Sequence, residues 1–406
     1  MVTGDSAYIK KINRSLILKT IIQHQKISRA ELSKITGLNK ATISVQVADL
    51  LQEEIICESR LEHNSIGRRP IMLSINGNAG YVLGIDLDYH EIIFNICNLQ
   101  GKSIQMETLH PDTENYDEIV RLLITQIKKY IKAYSNSIYG LVGVVLGIHG
   151  TVNKDQSILF IPKYQWHHKD LKSDLEKEVS DIDIYIENNA NLSAKAEKTY
   201  KYNYSDNLLT VILTSGIGAG IIIDGKLHRG YHGYAGEMGH MIIAPDGIPC
   251  KCGNHGCWEK YSSEPSFLEQ LSKLSNKKVV HNDVKQLITK QDPTTMELLN
   301  DFIRYLSIGL NNIINLYNPE TIVLNSEVLK IYPNAVNQIK NNLTSSVSQY
   351  REIVLSDLGN KACILGACSY AIQRFLEVPE IVLSMEDERH SKGDQSVEPI
   401  YINRAP

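Results

Sequence analysis

The chain has 406 residues, room for two or three folding units of about 150 residues each, and its 43% hydrophobic and 22% charged composition excludes a mainly disordered, collagen-like or coiled-coil protein. The net charge of −4 names no partner, but it is unevenly spread. The first 75 residues hold 11 Lys+Arg against 7 Asp+Glu, or +4, leaving 31 against 39, or −8, for the rest. A small basic head precedes a larger acidic body.

The opening MVTGDSAYIKKINRS has no apolar run of the kind a secretion signal needs, so a cytoplasmic protein is expected. Seven cysteines, an odd number in a chain without an export signal, speak against a disulfide framework.

In the head, Ile9, Ile12, Leu16, Ile17 and Ile21 recur at helical spacing and predict an amphipathic helix. A second helix is predicted at ISRAELSKITG, where Ser28 and Glu31 have capping-box spacing and Gly37 can supply the left-handed stop. A third follows Leu38 with Asn39 as its N-cap and Ile43, Val47 and Leu50 facing inward. Two apolar segments, EIICES and PIMLSI, flank HNSIGRRP and predict a hairpin with a basic tip. This pattern reads as a winged helix-turn-helix. Its third helix would enter the major groove, with Lys40, Thr42, Ser44, Val45 and Gln46 toward the DNA and Arg68 and Arg69 reaching phosphate or the minor groove from the wing. The alternative is a three-helix module that binds protein.

From Gly80 the pattern changes. YVLGIDLD, IIFNICNL, KSIQMETL, LVGVVLGI and IDIYIEN read as strands, with helices from about 116 to 134 and from about 191. The order then recurs: strands at LLTVILTS, AGIIIDG, TIVLN and EIVLS, with helices from about 296 to 317, around 334 to 349 and from about 361. Such repetition predicts a duplicated α/β domain. Residues 385 to 406, charged and without apolar periodicity, predict a disordered tail.

His240 with Cys250, Cys252 and Cys257 carries the sharpest chemical signal, because three thiolates and an imidazole meet the tetrahedral preference of zinc. Four protein ligands would close the ion's coordination and make it structural. Cys57, Cys97, Cys363 and Cys368 lie in apolar surroundings and read as core. TSGIGAG at 214–220 reads either as a tight hairpin or as a phosphate cradle, with the hairpin favoured on this segment alone. ENNAN at 187–191 lies where a strand enters a helix, which fits either a ligand site on an α/β sheet or a polar cap. Glu237 and Glu259 flank the cysteine cluster, so a metal there could aim both carboxylates at one ligand; otherwise they are solvated acids.

Taken together, EMGH at 237–240, CKCGNHGCWE at 250–259, ENNAN, TSGIGAG and the preceding helix-turn-helix resemble the ROK family of repressors, open reading frames and sugar kinases. Within it, ISRAELSKITGLNKATIS and GRRPIMLSIN are most similar to xylose repressors of Gram-positive bacteria. The resemblance implies a winged helix-turn-helix over 1–76, then a two-lobe actin- and hexokinase-like (ribonuclease H-like) α/β domain over 77–384. It also implies sugar contacts from Asn188, Asn189, Glu237, His240 and Glu259, a zinc ion, and a homodimer that binds operator DNA and is released by D-xylose. Two departures bear on catalysis. Where kinases of the family carry a general-base Asp this chain has Asn189, and where they carry a phosphate-loop glycine it has Asp88. No catalytic residue is therefore expected. A third departure is His149, where members usually have Pro. The competing expectations are an ATP-dependent sugar kinase or a repressor answering glucose or N-acetylglucosamine.

Overall fold

The computed structural model describes residues 6–60, 70–89 and 91–385. The tip of the head hairpin, with Arg68 and Arg69, and the tail from 386 onward lie outside these.

The head begins with the helix Ser6–His24, which buries Ile17, Leu18, Ile21 and Ile22. The amino-terminal part of the expected apolar stripe is open, with Ile9 and Ile12 about half exposed. The second helix, Arg29–Thr36, is fixed at both ends by its sequence. Ser28 Oγ accepts from the Glu31 amide at 3.2 Å, Glu31 accepts from the Ser28 amide at 2.9 Å, and Gly37 ends the helix at φ 71°. The third helix, Lys40–Gln52, starts where Asn39 Oδ1 accepts the Thr42 amide at 2.8 Å. Asn39→Ala is expected to cost about 1 kcal/mol, read from the urea midpoint, by fraying the first turn of that helix. Ile56–Arg60 and Ile71–Ile75 pair antiparallel, Ile56 opposite Ile75, and Ile27–Ser28 adds to the edge of the second.

The body has two five-stranded sheets. In the first, Tyr81–Leu87, Ile92–Asn98 and Ser103–Leu109 form an antiparallel meander, and Leu141–Ile148 and Ile184–Asn188 continue it parallel to the first strand. In the second, Leu208–Ile212, Gly218–Ile223 and Lys226–Leu227 form the meander, and Thr321–Asn325 and Glu352–Leu355 run parallel to its first strand. Both sheets have the order third, second, first, fourth, fifth, which is the duplication the sequence repeat implies. The sequence reading missed the helices Glu264–Ser275 and His281–Thr289 and the small sheet of Thr151–Val152, Ile158–Ile161 and Trp166–Lys169. The helix expected around 334 to 349 is shorter, Ala335–Asn342, because the following Thr-Ser-Ser run favours turns over helix.

One apolar core runs without interruption from Ile17, Leu50 and Leu73 in the head to Val82, Leu192 and Ala367 in the first lobe. The helices Asn189–Tyr200 and Ala362–Phe375 supply its body side. Polar bonds cross the same junction: the Tyr139 hydroxyl donates to the Glu53 carbonyl at 2.6 Å, and Ser15 Oγ to that of Glu377 at 3.0 Å. Among the described residues no helix is long and apolar enough to cross a membrane.

Candidate functional site

A cleft of about 770 Å³ lies between the lobes, and Asn188, Asn189, Glu237, His240 and Glu259 all line it. Asn188 closes the strand Ile184–Asn188 and caps the helix Asn189–Tyr200. Its Oδ1 accepts the amides of Ala190 and Asn191 at 2.8 and 3.2 Å, and its Nδ2 donates to the Gly150 carbonyl at 2.9 Å. The polar-cap reading therefore holds for Asn188, which keeps one N–H for a ligand. Glu187, one residue earlier, accepts from the Asn188 amide and Asn191 Nδ2 through Oε1, and from Arg229 Nε at 2.8 Å through Oε2.

Asn189 meets His149 rather than solvent. Its Nδ2 is 3.2 Å from His149 Nδ1, while His149 Nε2 lies 2.9 Å from Asp86 and Nδ1 3.2 Å from Asp88. Asp86 is 3% exposed, so its charge needs this partner. Burial pulls the imidazole pKa down, but the charge and hydrogen bond of Asp86, with the charge of Asp88 added, outweigh it and raise the value. His149 thus binds together the two carboxylates at the end of the first strand and the Asn189 amide. A histidine–carboxylate pair closes this end of the cleft.

TSGIGAG joins two antiparallel strands, as the hairpin reading holds, and Ser215, Gly216 and Ile217 also line the cleft. Glu237 opens onto the cleft, where burial by the surrounding protein and the charge of Glu259 raise its pKa.

The expected metal ligands converge. One ligand atom from each of His240, Cys250, Cys252 and Cys257 lies within 4.8 Å of all the others. Cys252 and Cys257 Sγ are 3.6 Å apart, and Cys250 Sγ is 3.7 Å from His240 Nδ1. Zinc–ligand bonds of about 2.0 to 2.3 Å at tetrahedral angles put ligand atoms about 3.6 to 3.8 Å apart, so these edges fit the ion. Burial holds the Cys250 and Cys257 thiols above their usual range, and the backbone amide of Asn254 pulls Cys252 below it. Gly256 permits the tight return at φ 78°, where a Cβ would stand 1.7 Å from the Ala244 carbonyl oxygen. Trp258, fully buried, donates its indole N–H to the Tyr305 carbonyl at 3.0 Å and ties the loop to the helix Pro293–Tyr317. With His240 Nδ1 turned to the sulfurs, Nε2 is left for the cleft.

On the head, Lys40, Ser44 and Val45 are exposed, Val45 at 58%, and Thr42 is half-buried. Gln46, expected on the DNA-facing surface, is 4% exposed and cannot reach DNA. It stands three residues after Ile43 and four before Leu50, which places it on the inward stripe. The sequence reading also missed the partners of His149 and the contribution of Thr151, Ser215 and Lys251 to the cleft.

The ROK family profile matches residues 82–374, and the chain belongs to that family. Over 380 residues it is 37% identical to the Xylose repressor of Bacillus subtilis (strain 168), covering 92% of this chain and 98% of that one. A crystal structure of a ROK family transcriptional regulator, a homologue of the E. coli MLC protein, matches at TM-score 0.79 and 25% identity over 91% of this chain and 96% of its own. A ROK family glucokinase from Streptomyces griseus, solved with glucose and AMPPNP, matches at 0.63 and 24% identity over 72% of this chain and 100% of its own, which shows a shared fold.

Proposed function

We propose that the chain is a sugar-responsive transcriptional repressor of xylose-utilisation genes, binding operator DNA through a winged helix-turn-helix over residues 1–76 and sensing D-xylose with the body over 77–384. One observation carries the reading: an exposed helix led by Lys40, Ser44 and Val45 shares one core with a polar cleft that has an amide, Asn189, where catalysis needs a carboxylate. Asn189, Glu237, His240 and Glu259 hold the sugar hydroxyls, with the remaining N–H of Asn188 as a further donor. A structural zinc on His240, Cys250, Cys252 and Cys257 fixes the imidazole so that its other nitrogen meets the ligand. The coverage of a named repressor by almost its whole length supports the head-plus-body assignment.

A homodimer would present two recognition helices about 34 to 36 Å apart, or a multiple of that, to successive major grooves. Closure of the lobes on sugar changes that separation. By linkage, operator DNA then weakens sugar binding by the factor with which sugar weakens DNA binding. Gel-shift titration of a palindromic operator with and without millimolar D-xylose, glucose and N-acetylglucosamine tests this. Release by D-xylose is expected; indifference to xylose with release by another sugar reassigns the effector, and binding to no operator-like duplex removes the reading. A coupled assay with ATP and the same sugars is expected to show no turnover, and Asn189→Asp none either, because Asp88 and His149 still occupy that end of the cleft.

A further inference from the structure

A second cavity, of about 500 Å³, opens between the head and the body. Lys19 and Gln23 of the helix Ser6–His24 form one wall, and Lys195 and Lys198 of the helix Asn189–Tyr200, with Lys226 and Arg229 beyond it, form the other. Among the described residues lining it there are five cations and one carboxylate, Glu380. That carboxylate is taken by Lys19. Lys198 is turned to the carbonyls of Asn203 and Ser205 and to Asp206, and Arg229 to Glu187.

Lys195 is different. Its ammonium donates to the neutral amide oxygen of Gln373, and among the described residues no carboxylate is paired with it. It lies over the ring of Tyr370, 5.6 Å from the centroid. Burial, with the charge of Arg229 beside it, pulls its pKa down to about 8 against the opposing charges of Glu187 and Glu380, which are themselves held by Arg229 and Lys19. A desolvated ammonium facing further cations is costly unless an anion compensates it. The cavity is large enough for a phosphoryl group with several carbon atoms attached.

We infer that this junction cavity is an anion site for a phosphoryl group, free or as the monoester of a small metabolite, held across the head–body boundary by Lys195 and by Lys19, which exchanges Glu380 for the ligand. A phosphoryl group suits it better than a carboxylate, because it offers three oxygens and nearly two charges to donors that approach from two walls. The ligand bridges the helix that leads the head to the helix that starts at the sugar cleft. Arg229 extends the connection, since the carboxylate it holds, Glu187, also holds Asn188 and Asn191. The site stands on its own geometry and does not depend on the repressor reading.

Isothermal titration of the full-length protein with inorganic phosphate and with glycerol 3-phosphate, at fixed ionic strength in chloride buffer, tests the inference. Binding is expected, with Kd weakened at least about tenfold in Lys195→Met and again in Lys19→Met, whose side chain is 33% exposed. Lys273→Met, an exposed lysine of the helix Glu264–Ser275 that does not line the cavity, serves as the control and should leave Kd unchanged. Tighter binding of the ester assigns a metabolite, and equal or tighter binding of inorganic phosphate assigns the free ion. No binding at millimolar concentration, or affinities equal in wild type and both cavity variants, overturns the site.

Discussion

Cys257→Ser protein is expected to carry no zinc, against about one ion per wild-type chain, and to have lost its answer to D-xylose. Cys257 is fully buried and adjoins Trp258 and Glu259, so a zinc ion on its sulfur would be tied to the indole anchored on Tyr305 and to a carboxylate of the cleft. Binding energies of structural zinc in small folded modules are on the order of 10 kcal/mol, comparable to the whole stability of a domain. Losing the ion should therefore release the loop from 240 to 259 and with it His240 and Glu259. Elemental analysis checks the first part and sugar titration the second. A zinc-free protein with full sugar affinity would show that the cleft is built without the metal.

His149→Ala is expected to cost about 3 to 5 kcal/mol, because the buried Asp86 carboxylate would lose the imidazole it is paired with. If charge rather than lost volume is the cause, adding Asp86→Asn to the variant should recover much of the loss, as a double-mutant cycle by urea unfolding would show. The pH dependence has a definite sign. The folded pKa of His149 lies above the ordinary value of 6.5, so its contribution is complete below about 6.5 and fades as pH rises through the folded value. Wild type should thus lose stability on the alkaline side of that window. A His149→Ala protein should lack that slope.

How much of this could be seen in the chain alone follows from the range of the interactions. The caps at Ser28, Gly37 and Asn39 were legible because each is a contact within three or four residues. The metal set was legible because its three cysteines share one short loop. Gln46 is polar, yet its spacing from Ile43 and Leu50 points inward, and the spacing decides its burial. The helix Glu264–Ser275 had a signal that went unread, Ser263 as N-cap with proline at the first turn. The bond from His149 to Asp86 had none. It spans 63 positions and arises because Tyr81–Leu87 and Leu141–Ile148 run parallel with Asp86 beside Gly147, a register that no local pattern encodes. The junction cavity likewise draws its cations from separate elements.

The uninterrupted core between head and body bears on transplantation. Cutting at residue 76 and fitting another reader of DNA would strip Val82, Leu192 and Ala367 of the side chains that cover them, and leave a bare apolar face on the remaining cassette. Chimaeras joined there should aggregate or fall silent even when both halves are sound. Exchange would succeed only where the incoming head brings its own counterparts of Ile17, Leu50 and Leu73, so the specificity of such a regulator is inherited together with its seam.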